Sequence, residues 1–128
     1  MIAAIQVLSA TQPRGTGRRI AVIGEMLELG LRSEALHASL LEPLVSGGID
    51  LVFTSGRLTR SLWERLPPSM RGRHANSAKE LAPLVVGAVQ DNDVTMVKGS
   101  FGSRMLEVVE AIDSLGQELG ALKLANGE

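Results

Sequence analysis

Ile20 to Ile23 form an unbroken apolar run dominated by β-branched residues, with no polar alternation. Such a run reads as a strand buried on both faces, which restricts the chain to folds whose sheet is covered on each side. Gly24 ends the strand, and Glu25-Met26-Leu27-Glu28-Leu29-Gly30 continues as an acidic loop. About nine residues separate Gly24 from the next helical pattern, whereas strand-to-helix connections usually take roughly two to six. Extra length at such a place is often functional.

The rest of the chain alternates in the same manner. Met1, Ile5 and Leu8 share one face of an opening helix, and Thr11 to Gly17 supplies a loop rich in breakers. Starting abruptly inside an amphipathic pattern, with no cap and no preceding strand, points to a chain cut from a longer polypeptide. After the acidic loop Ser33 can cap a helix in which Leu36, Leu40 and Leu44 form an apolar row, widened by Leu41. Asp50 to Thr54 reads as a second strand, turned by Ser55-Gly56 into a helix carrying Leu58, Leu62 and Leu66 and closed by Pro67-Pro68. Arg73-His74-Ala75 is at best a short strand. Ser77 and Glu80 then make a capping box for a helix lined by Leu81, Leu84, Val85 and Ala88, in which Pro83 predicts a kink or a later start. Asp93 to Lys98 is the last predicted strand. Met105, Val108, Val109 and Ile112 follow at i, i+3, i+4, i+7, while Gly116 and Gly120 weaken any extension through Leu115, Leu119 and Leu122.

These alternations predict an α/β fold, a Rossmann-like three-layer sandwich with a mostly parallel sheet and helices on both faces. All strand-to-helix turns then lie along one rim, so Gly24, Ser55-Gly56, Asn76-Ser77 and Gly99-Ser100 frame the predicted site.

Composition excludes several classes. With 45% hydrophobic and 21% charged residues in 128, one ordinary globular domain is expected. A net charge of −1 with interspersed signs gives no electrostatic case for nucleic acid or a membrane surface. The chain has no cysteine and two widely separated histidines, so disulfides, thiolate chemistry and a histidine or cysteine metal centre are not expected. A cytoplasmic setting fits.

Two turns carry chemistry. Lys98-Gly99-Ser100-Phe101-Gly102-Ser103-Arg104 places a cation at a strand end, small residues beside it and a helix start whose N–H groups favour an anion. The same residues also suit plain turn geometry and capping. Neither Gly-x-x-x-x-Gly-Lys-Ser/Thr nor Gly-x-Gly-x-x-Gly after a strand occurs. Glu25 and Glu28 are either acceptors for ribose hydroxyls or solubilising acids. His37, Trp63, Met96 and Met105 read as packing residues, and His74 as a strand end.

Taken in order, Arg19 to Gly30, Ser33 to His37, Gly48 to Thr54, and Val97 to Ser100 with Gly102 to Met105 resemble the C-terminal domain of a Mur ligase. The resemblance covers residues 1–112, leaving 113–128 as an extension, partly helical or frayed. It is strongest to the branch that adds D-alanyl-D-alanine to a UDP-N-acetylmuramoyl-tripeptide in peptidoglycan synthesis. It implies a three-domain cytoplasmic enzyme using ATP and Mg²⁺ to activate a carboxylate as an acyl phosphate, with the third domain closing over the central ATP-binding domain. By motif position, Glu25 is the implied nucleotide contact and Lys98, Ser100 and Arg104 the implied contacts to the incoming dipeptide. No catalytic or metal-ligating residue is assigned to this chain.

The family's third domain opens with a strand and an Asn-containing loop ahead of the first helix, and neither precedes Met1. The P-loop is also absent. The chain alone is therefore expected to be inactive and to carry no cofactor of its own, and an uncovered sheet edge would favour self-association. The alternative is a free-standing α/β module that binds a small anionic ligand or a protein partner. A phosphoacceptor receiver would need clustered acids at the end of the first strand.

Overall fold

Residues on alternate sides of the central strands serve two separate cores, and this decides where everything else sits. The structure, a computed structural model, describes residues 1–26, 33–119 and 122–126. Its strands are β1 (Arg19–Ile23), β2 (Leu51–Ser55), β3 (Arg71–Ala75), β4 (Val94–Lys98) and β5 (Leu122–Asn126). They pair in the order β3-β2-β1-β4-β5, every pair parallel. The helices are α1 (Ile2–Ala10), α2 (Ser33–Ala38), α3 (Leu41–Ser46), α4 (Arg60–Arg65), α5 (Ala78–Ala88) and α6 (Leu106–Leu119). Ile20, Val22, Phe53 and Val97 pack with α5 and α6, while Ala21, Ile23, Val52 and Met96 pack with α1, α3 and α4. This is the Rossmann-like three-layer arrangement that the alternation predicts.

Several local expectations hold for the stated physical reasons. Ile5 and Leu8 are buried on α1, and Met105, Val108, Val109 and Ile112 are buried along the start of α6. The Ser77 side chain accepts from the Glu80 N–H at 3.2 Å, so the capping box starts α5 where the sequence places it. Pro83 lies inside that helix and does not delay its start.

Others are corrected. The single helix expected over Ser33 to Leu44 is two, α2 and α3, and the break rotates the buried face. Leu40 and Leu44 remain in the core, but Leu36 is 40% exposed and His37 is buried in its place. Pro43 falls in the first turn of α3, where its missing N–H costs nothing. β3 is longer than Arg73 to Ala75. The chain also has a strand after Lys98: α6 runs past Ile112 to Leu119, and β5 pairs with β4. β5 lacks β-branched residues and follows two glycines, so neither propensity nor period marked it. Glu28 and the Ser33 side chain lie outside the described residues.

On the α4 side, the Nδ1 of His74 lies 2.6 Å from Thr54 Oγ1, and its ring is tilted against Trp63, over which Arg71 sits at 5.3 Å. Burial first, then the positive charge of Arg60, holds the His74 pKa below its usual value. A histidine that resists protonation only in the folded state contributes stability above about pH 6.5, and this contribution is lost as pH falls through the folded value. Denaturation midpoints are therefore expected to fall between pH 7.5 and pH 5, with a flatter dependence in His74→Gln.

Candidate functional site

The strand order reverses direction at β1: β2 and β3 lie to one side of it, β4 and β5 to the other. Open parallel sheets bind ligands at the carboxyl edge beside such a reversal. Here Ile23 is level with Lys98, and the Gly24 N–H donates to the Lys98 carbonyl at 2.8 Å. The Ser100 N–H donates to the Glu25 carbonyl at 3.0 Å, stitching the loop after β1 to the loop after β4. Residues distant in the chain thus converge as the topology requires.

Glycine makes that convergence close. A Cβ on Gly24 would stand 2.5 Å from Met105 Cγ, and one on Gly99 would stand 2.6 Å from Ser103 Oγ. The segment leading into α6 therefore rests directly on the two strand ends. Phe101–Ser103 is a single 3₁₀ turn there, and Arg104 follows with φ 60°, a left-handed conformation uncommon outside glycine.

A cavity of about 330 Å³ opens on this rim. Glu25 lines it from the β1 loop, Ser55 and Gly56 from the end of β2, and Asn76 to Lys79 from the start of α5. Gly102 to Arg104 and Glu107 complete it from the α6 side. Two cations, Lys79 and Arg104, and two carboxylates, Glu25 and Glu107, thus line it together with small polar residues. The Glu25 carboxylate is held in place: its Oε2 accepts from the Leu58 N–H at 2.9 Å. A carboxylate accepts about four hydrogen bonds, so one backbone donor leaves capacity for hydroxyl groups of a ligand.

Of the four residues singled out in the sequence, Glu25 and Arg104 line the cavity. Lys98 and Ser100 are not among the residues that line it. Ser100 is 9% exposed, and its carbonyl accepts from both the N–H and the Oγ of Ser103. Two of the N–H groups that the sequence offered to an anion, those of Ser100 and Ser103, are therefore already bonded within the protein. Lys79 and Glu107 were missed as site residues. Lys79 looked like an interior position of a capping box, and Glu107 shows itself only as the residue nearly one turn beyond Arg104.

Among the described residues no group of three or more His, Cys, Asp or Glu could hold a metal ion. No described helix is long and apolar enough to cross a membrane.

A family model described as Mur ligase, glutamate ligase domain, matches residues 1–101. The chain is 36% identical over 118 residues to the UDP-N-acetylmuramoyl-tripeptide–D-alanyl-D-alanine ligase of Escherichia coli (strain K12), covering 91% of this chain and 25% of that protein. It is 27% identical over 92 residues to the ligase of the same name from Rickettsia prowazekii (strain Madrid E), covering 72% of this chain and 20% of that one. The chain thus spans a fifth to a quarter of the length of these relatives. Among solved structures, the MurF ligase from Thermotoga maritima in complex with ADP superimposes with a TM-score of 0.67 at 24% identity, covering 90% of this chain and 25% of that one. MurF from Acinetobacter baumannii gives 0.65 at 21%, covering 90% and 24%.

Proposed function

Because the chain belongs to the Mur ligase family, in which it corresponds to the glutamate ligase domain, we propose that it serves as the C-terminal domain of an ATP-dependent ligase. That enzyme joins D-alanyl-D-alanine to UDP-N-acetylmuramoyl-tripeptide in the cytoplasm, for peptidoglycan synthesis. The observation that carries the proposal is the joining of the β1 and β4 loops over one polar cavity, within a segment similar to enzymes named for that reaction.

In this reading the cavity takes an anionic ligand at the face turned toward the ATP-binding part of the enzyme. Glu25 accepts from the ribose hydroxyls of the nucleotide. Arg104 pairs with a carboxylate of the incoming dipeptide, with Lys98 and Ser100 shaping the loop beside it. ATP, with Mg²⁺ held elsewhere in the enzyme, would transfer its terminal phosphoryl group to the tripeptide carboxylate, leaving ADP, and the dipeptide amine would then displace phosphate from that acyl phosphate. This chain binds and orients, and contributes no nucleophile or general base. Residues 1–112 form the family domain and 113–128 extend it.

A chimera tests this. The chain replaces the corresponding C-terminal quarter of the Escherichia coli relative, and product formation is followed with ATP, the UDP-linked tripeptide and D-alanyl-D-alanine. The chimera is expected to be active and the 128-residue chain alone inactive. Arg104→Ala in the chimera is expected to raise KM for the dipeptide about 10-fold or more, the loss of one charge-assisted hydrogen-bonded contact. A folded but inactive chimera, or turnover by the chain alone, contradicts the proposal.

A further inference from the structure

We propose that His37 is a positioning residue for this cavity: its buried imidazole holds the backbone at Met26 and thereby sets the neighbouring Glu25. His37 is 1% exposed, and its Nε2 accepts from the Met26 N–H at 2.8 Å. A polar ring is costly to bury, and a leucine would fill the same space without that cost, so the hydrogen bond is what the imidazole specifically supplies. An Nε2 that accepts from an N–H carries no proton of its own.

The geometry around Glu25 gives this bond its consequence. The Glu25 carbonyl is fixed by the Ser100 N–H, and its carboxylate by the Leu58 N–H at the 3₁₀ turn Arg57–Thr59. The other side of that carbonyl's peptide, the Met26 N–H, is held by His37, on a helix that packs against the 3₁₀ turn and α4. Three attachments from three different elements therefore determine one acidic side chain. Removing the imidazole leaves that peptide held on its carbonyl side alone, loosening its orientation and with it the place of the Glu25 carboxylate on the cavity wall. His37 contacts no ligand in this account and acts through Met26.

The inference rests on the cavity being the ligand site, and its test separates the two. In the 128-residue chain, amide hydrogen exchange at Met26 and the ¹⁵N spectrum of the His37 ring report the positioning directly, and titration with ADP reports the site. His37→Leu is expected to speed Met26 exchange about tenfold, as for one lost hydrogen bond, and to weaken ADP binding by a similar factor. His37→Gln, whose amide oxygen reaches the place of Nε2, is expected to restore both to within about threefold. Unchanged Met26 exchange in His37→Leu overturns the inference, as does a failure of His37→Gln to rescue a loss seen in His37→Leu. If His37→Leu does not fold, the wild-type ring decides: a bare Nε2 supports the inference and a protonated Nε2 overturns it. If the wild-type chain binds no ADP, the ligand reading of the cavity fails, while exchange and tautomer still judge His37.

Discussion

Gly56→Ala is expected to destabilise the chain by about 2–4 kcal/mol and to disrupt ligand binding at the rim. Gly56 has φ 95° and ψ 155°, a region that is essentially glycine's alone. An added Cβ would also stand 2.3 Å from the Cδ of Glu25, whose carboxylate is bonded to the Leu58 N–H. Either the backbone at the end of β2 moves, or Glu25 gives up its partner and its place in the cavity. Urea denaturation checks the stability term as a lower midpoint at unchanged slope. A midpoint equal to that of the unaltered chain would show that this turn is not constrained as described.

Asp93→Ala acts at the opposite edge of the sheet and is expected to cost about 3 kcal/mol, as when one partner of a buried ion pair is removed. Asp93 is 1% exposed and accepts from the Arg18 N–H and Nη2 and from the Gln90 N–H, each at 2.8 Å. The same Arg18 Nη2 donates to the Ala88 carbonyl at 2.8 Å, so one pair ties the amino ends of β1 and β4 to the end of α5. Burial pushes the Asp93 carboxyl up, but the hydrogen bonds from Arg18 and Gln90 outweigh it and hold the group below the usual carboxylate range. A carboxylate with a depressed folded value contributes stability that is full above about pH 4 and is lost as pH falls through that folded value. The unaltered chain should therefore lose stability in acid more steeply than Asp93→Ala. Parallel pH profiles would contradict this.

The layered sheet was legible because its strands speak through composition: Ile20 to Ile23 are apolar throughout and Val94 to Val97 are apolar but for Thr95, and both segments are buried on both faces, as in a doubly covered sheet. The rim was legible for a topological reason, since parallel strands bring their turns together whatever the strand order. What the sequence hid depends on tertiary context. The break between α2 and α3 has no glycine, and its Pro43 falls where a helix start tolerates it, so the apolar spacing of Leu36, Leu40 and Leu44 read as continuous. His37 looked like a packing residue at the margin of that row; its bond to Met26 crosses between elements and has no periodic signature. Lys79 and Glu107 enter the cavity because α5 and α6 begin beside each other at its mouth. Ser100 and Lys98, prominent in the motif, are not among its lining residues.

The central claim is that a single cavity, framed by Glu25 and Arg104, receives the ligand. The most direct test is an NMR titration of the ¹⁵N-labelled chain with ADP and, separately, with D-alanyl-D-alanine. The account predicts shifts concentrated at Glu25, Ser55-Gly56, Asn76 to Lys79 and Gly102 to Arg104. Spectra unchanged up to millimolar ligand, or shifts confined to the groove between α1 and α3 lined by Ile2, Gln6 and Pro43, would contradict it.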